Sequence, residues 1–131
     1  MKKFTFFLLM AICFTACHES LEKRAMREAK EYTRKNCPIT KYNVRTDSIA
    51  FDPNTRTLIF YHTMCNQLDD SALVASRKDE MMELLSDAFN MDISLKPYKE
   101  AGFNVRYEYH SNAHPEIIMI EKTFTSKDYA K

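Results

Sequence analysis

The sequence predicts an α+β fold in the order α-β-β-α-β-β: a four-stranded, mostly antiparallel sheet with two helices on one face. Three observations predict it. Residues 19–36 and 70–90 place apolar side chains at helical spacing. Residues 103–110 alternate strictly between two faces. Turn signals at Asp52-Pro53-Asn54 and Ser111–His114 each separate two strand-like runs.

The first helix, residues 19–36, carries Leu21, Ala25, Ala29 and Tyr32 on one stripe. Glu19 and Glu22 lie at its start and Arg34 and Lys35 at its end, which suits the helix dipole. Pro38 stops it, with Cys37 just before. Residues 41–51 and 57–64 read as a hairpin. The first strand carries Tyr42, Val44, Ile49 and Phe51, and its alternation breaks between Val44 and Ile49, where a bulge is expected. The second, TLIFYHTM, is rich in β-branched and aromatic residues.

Asp69, Asp70 or Ser71 caps the second helix. Leu73, Val74, Met81, Leu84, Leu85, Ala88 and Phe89 give it a wide apolar face. Residues 91–102 are irregular, with Pro97 starting a short turn and Gly102 ending it at positive φ. In 103–110, Phe103, Val105, Tyr107 and Tyr109 face one way, and Asn104, Arg106, Glu108 and His110 the other. Residues 116–124 return as the partner strand.

The chain begins MKKFTFFLLMAICFTAC. Two lysines precede an uncharged apolar run from Phe4 to Ala16, which is shorter than the roughly 20 residues a membrane-spanning helix needs. It has the size of a secretory h-region. Thr15-Ala16-Cys17, behind Phe14, resembles the lipobox of bacterial lipoproteins, with Phe14 where leucine is usual. The resemblance implies cleavage before Cys17 and lipidation of its thiol. Residues 1–16 are then a signal peptide, and 17–131 a single small domain tethered to a membrane. His18 rather than Asp follows the cysteine, and in that family this implies the outer membrane rather than the inner. Length, layout and lipobox together resemble small envelope lipoproteins of Bacteroidetes-like bacteria, many without a known function.

The chain of 131 residues has 19 basic and 18 acidic side chains. Losing residues 1–16 removes Lys2 and Lys3 and leaves 17 against 18, a net charge of −1. A near-neutral domain of this size gives no reason to expect nucleic acid as a partner. Cys37 and Cys65 remain beside Cys17, an even pair in an oxidising compartment, and are expected to bond; two buried thiols are the alternative.

Chemistry-bearing patterns are few. His110 and His114, flanked by Glu108 and Glu116 at a hairpin tip, are weak candidates for a metal, because their spacing fits no known site. His62 lies on a strand beside one carrying Asp47 and Ser48, but no G-x-S-x-G elbow accompanies them. No phosphate-binding glycine loop occurs and no cofactor is expected. Tyrosines are many for a small domain. Tyr107 and Tyr109, with Arg106, are the expected binding surface on an open sheet face, since tyrosine rings supply contact area at low entropic cost. The expected function is therefore a non-enzymatic, membrane-anchored envelope lipoprotein that binds another envelope protein. The alternatives are a ligand- or toxin-binding inhibitor or immunity-type lipoprotein and, third, a small enzyme.

Overall fold

The computed structural model describes residues 19–129. Helix α1 (Leu21–Asn36) opens the fold, and Ser20 caps it by accepting the Lys23 amide. Strands β1 (Ile39–Lys41), β2 (Val44–Asp52) and β3 (Thr57–Met64) form an antiparallel meander. Helices α2 (Ser71–Ser76), α3 (Lys78–Met91) and α4 (Lys96–Glu100) follow. Strands β4 (Asn104–Ser111) and β5 (Ile118–Phe124) form the last hairpin, and a short α5 (Ser126–Tyr129) ends the described chain.

The α+β class holds, but the sheet has five strands in the order β1-β2-β3-β4-β5, and β3 pairs with β4 in parallel. The sheet is mostly antiparallel, as expected, but it has five strands rather than four and one parallel pairing among its four. Residues 65–103 cross over between β3 and β4, a length that a parallel pairing requires. The fifth strand comes from dividing the first predicted one. Tyr42 and Asn43 take positive φ (51° and 64°), so the chain turns there and β1 folds back on β2. The expected bulge is present: Thr46 pairs with His62 and Ser48 with Tyr61, leaving Asp47 unpaired between them. The second helix breaks at Arg77 (φ −114°, ψ 18°) into α2 and α3. Asp70, one of three residues expected to cap, accepts from the amides of Ala72 and Leu73.

The helices lie on one face of the sheet. There Ala25 of α1 and Leu85 and Phe89 of α3 close over Phe51, Leu58, Val105, Tyr107 and Phe124 in one core. Phe89 stacks on Phe124 with ring centroids 4.2 Å apart. Gly102 takes φ +79°, as its place after α4 predicts. Thr33 of α1 ties the helix to β2: its hydroxyl donates to the Ile49 carbonyl at 3.1 Å and accepts the Ile49 amide at 2.9 Å. It thereby satisfies a stretch of β2 that β1 is too short to reach.

Cys37 and Cys65 are both free, which corrects the expected disulfide. Cys37 precedes β1 and Cys65 follows β3, and these strands run parallel on either side of β2. Ile39, at the start of β1, is level with His62, so Cys37 stands before that level and Cys65 three residues beyond it, with β2 between them, a gap of about 10 Å across the strands alone. A disulfide needs Cα atoms within about 7 Å.

Candidate functional site

The helical layer does not close over the sheet completely. Between α1 and the Asp92–Tyr98 segment it leaves a cleft of about 420 Å³. The segment is short and turns twice, through a 3-10 turn at Ile93–Leu95 into α4, so it covers less sheet than α3 does. Ala25, Ala29 and Tyr32 line one wall and Leu95 and Tyr98 the other, with Ile49 and Phe60 in the floor. The alanines create the space: at these two inward positions of α1 a larger side chain would fill it. Tyr32, the last residue of the predicted stripe, is 42% exposed because it stands at the rim rather than in the core.

Five polar side chains, those of Glu28, Thr46, His62, Asp92 and Ser94, enter this apolar space. His62 lies in the floor, half-buried, with its ring stacked on Tyr109 at 4.6 Å between centroids. Thr46 Oγ1 and His62 Nδ1 share a hydrogen bond of 3.2 Å. Burial lowers the His62 pKa from 6.5 to about 4, and the nearby Asp47 only partly opposes this. The imidazole is therefore neutral at physiological pH, with Nδ1 engaged by Thr46. Glu28 stands in the α1 wall. It accepts hydrogen bonds from Tyr98 Oη and from Arg24 Nε. Burial pushes its pKa up, but those two donors and the charges of Arg24 and Arg27 together outweigh burial and hold the carboxyl below its ordinary value. Asp92 and Ser94 stand opposite at the mouth, the aspartate carboxylate accepting from the Ser94 amide. Apolar walls with a few oriented polar groups are the usual makeup of a binding cleft.

A second apolar cleft of about 330 Å³ lies farther along the same face. Met64, Met81, Leu84, Tyr109 and Ile120 line it, and Leu84 is 62% exposed.

The expected surface of Tyr107, Tyr109 and Arg106 is divided between the two faces. Tyr107 is 7% exposed, stacks on Phe60 at 5.0 Å and belongs to the core. Tyr109 is partly buried between the two clusters under the helices. Their alternation with the fully buried Val105 already assigns them to the covered side. Arg106 is on the open face, where it pairs with Glu108 at 2.7 Å and Glu121 at 2.9 Å. The same open face carries Arg45, bonded to Asp47 at 2.6 Å and to the Thr63 hydroxyl at 3.2 Å. Each of these charges has an opposite partner, which leaves the open face polar, although the buried Arg106 Nε has no hydrogen-bond partner among the described residues.

The remaining candidates are also placed. His110 Nδ1 bonds the Pro115 carbonyl at 2.8 Å, and His114 lies 3.6 Å from Glu116. Among the described residues no group of three or more His, Cys, Asp or Glu could hold a metal ion. Asp47 is spent on Arg45 and Thr63 and does not bond His62, so the two form no catalytic relay. Cys17 lies outside the described residues.

A family model described as "Domain of unknown function (DUF8479)" matches residues 20–119. No curated protein sequence matches the chain. Among solved structures, a candidate secreted protein of Pseudomonas aeruginosa is similar with a TM-score of 0.69 at 14% identity; the match covers 85% of this chain and 98% of that one. EpsS, the pilotin of the Vibrio vulnificus type 2 secretion system, gives 0.63 at 13% identity, covering 82% and 90%. AspS, a type II secretion system pilotin from Vibrio cholerae, gives 0.59 at 11%, covering 82% and 91%. At these identities the likeness shows a shared fold.

Proposed function

The chain belongs to the DUF8479 family, and we propose that it is a lipid-anchored, non-enzymatic envelope lipoprotein that binds a protein partner in the cleft between α1 and the Asp92–Tyr98 segment. Its fold is that of two type II secretion pilotins, and a pilotin-like part in an envelope assembly fits a small domain on a tether. The anchor is Cys17, in the outer membrane. The likeness of residues 1–17 to a lipobox supports it, and among the described residues no helix is long and apolar enough to cross a membrane.

The observation that carries the binding reading is the cleft itself. It is an apolar space of about 420 Å³ that the protein's own side chains leave unfilled. A few apolar side chains from one face of a partner helix or extended segment fit it, and the neutral His62 and the ionised Glu28 can orient them. The open sheet face, with its charges already paired, is the poorer site.

Two experiments test the two halves. Cys17→Ser should abolish cleavage of the precursor by lipoprotein signal peptidase and the incorporation of labelled palmitate; unchanged labelling would remove the anchor. A photocrosslinking residue at Tyr32 or Ser94, on the cleft rim, should capture one dominant envelope protein in living cells. The same probe at Tyr42, which is 95% exposed on the β1–β2 turn, should not. Capture from Tyr42 alone would move the partner away from the cleft.

A further inference from the structure

The basic residues of this domain are not spread evenly. Helix α1 holds six of them (Lys23, Arg24, Arg27, Lys30, Arg34 and Lys35) against three acidic ones (Glu22, Glu28 and Glu31), a net +3. After residue 16 the chain has a net charge of −1, so everything outside α1 sums to −4. Four of the six, Lys23, Arg27, Lys30 and Arg34, follow one another at spacings of four, three and four, which aligns them along one side of the helix. All four are exposed, on the side opposite the buried Ala25 and Ala29. Arg27 is bound by Glu19 at 2.9 Å and Glu31 at 3.6 Å, but Lys23, Lys30 and Arg34 make no ion pair among the described residues.

The stripe runs from Lys23 to Arg34, about 16 Å along the helix. It begins six residues after Cys17, whose distance from the N-cap Ser20 is three residues, or at most about 11 Å of extended chain. We propose that α1 lies along the membrane carrying the anchor and binds anionic phospholipid headgroups through Lys23, Arg27, Lys30 and Arg34; this rests on lipidation at Cys17. An acyl anchor alone fixes a point and leaves the domain free to swing. A row of cations beginning at most about 16 Å from that point turns the point into a line. Each cation held at an anionic surface contributes about fivefold in partition, so the three unpaired ones together contribute about a hundredfold. The sheet then lies on the far side of α1 from the bilayer, and the cleft opens alongside α1 at the membrane surface, so the partner it takes is one that reaches that surface.

The test uses the full-length protein as its own cells process it, mixed with phosphatidylethanolamine vesicles holding a quarter phosphatidylglycerol and, separately, with neutral phosphatidylcholine vesicles. Amine acetylation read by mass spectrometry reports each lysine, with the exposed Lys78 and Lys96 as internal standards. In the anionic vesicles Lys23 and Lys30 should react about fivefold more slowly than in neutral ones, and 0.5 M salt should erase the difference. If the protein floats with both vesicle types but Lys23 and Lys30 react equally fast in both, the membrane-lying helix is overturned while the anchor stands. Flotation with anionic vesicles only would uphold the stripe and remove the anchor, and flotation with neither would remove both.

Discussion

Replacing His62 by phenylalanine should make the stability of this domain less sensitive to acid. In the folded chain burial holds the imidazole pKa at about 4, against 6.5 for the free side chain. Between these values the unfolded chain takes up a proton that the folded one refuses, so acid favours unfolding. The contribution is fully present above about pH 6.5 and drains away as pH falls towards 4. Relative to pH 7, the loss from this one group is about 1 kcal/mol at pH 5.5 and about 3 kcal/mol at pH 4. Phenylalanine keeps an aromatic ring stacked on Tyr109 and gives up the bond to Thr46, so the variant pays a fixed cost at every pH and loses the titration. Urea unfolding of both proteins at pH 7, 5.5 and 4 reads the effect. Acid loss at carboxylates is common to both and cancels in the difference. Parallel stability profiles would refute the claim that His62 is buried neutral in the cleft floor.

Phe89→Ala should cost about 3–5 kcal/mol, because its ring is 1% exposed and stacked on Phe124, and the alanine leaves a void; a loss under 1 kcal/mol in urea would contradict this core. Thr33→Val should cost about 1–3 kcal/mol by stranding both backbone groups of Ile49, with faster amide exchange at Ile49 as its local signature. Cys37 and Cys65 should both react with a thiol reagent after denaturation without reductant, giving two thiols per acylated chain; a count of zero would restore the disulfide.

The parts of the fold that were legible are those that local chemistry specifies. Asp52-Pro53-Asn54 turns the chain between β2 and β3, and the Asp52 carboxylate accepts the Asn54 amide. The broken alternation between Val44 and Ile49 marked the bulge at Asp47. Gly102 marked a positive φ. The parts that were hidden depend on contacts between distant segments. Tyr42-Asn43 is a turn although tyrosine favours strands, so β1 was absorbed into β2. Nothing within β3 or β4 says that the two run parallel, since alternation fixes which side faces the core but not the direction of the neighbour. The break at Arg77 lies inside a pattern of apolar residues that continues across it. The cleft joins α1 to a segment about 65 residues later that read as irregular. Only its small residues, Ala25 and Ala29, were visible in advance, and they read as core. The cysteine pair failed for the same reason: parity says that two thiols could bond, and only the strand directions say that they lie at opposite ends.

The parallel seam between β3 and β4 also sets an order of events. The meander of β1, β2 and β3 can form from residues 39–64 alone, but β3 then presents a bare inner edge until residues 104–111 arrive. A chain delivered N-terminus first therefore carries a sticky, half-finished sheet for the length of the 65–103 crossover. Such an intermediate is the form most prone to pair with the wrong strand, and the form a holding chaperone would recognise. Closure waits for the last hairpin, so truncation before β4 should leave an aggregating fragment rather than a smaller domain.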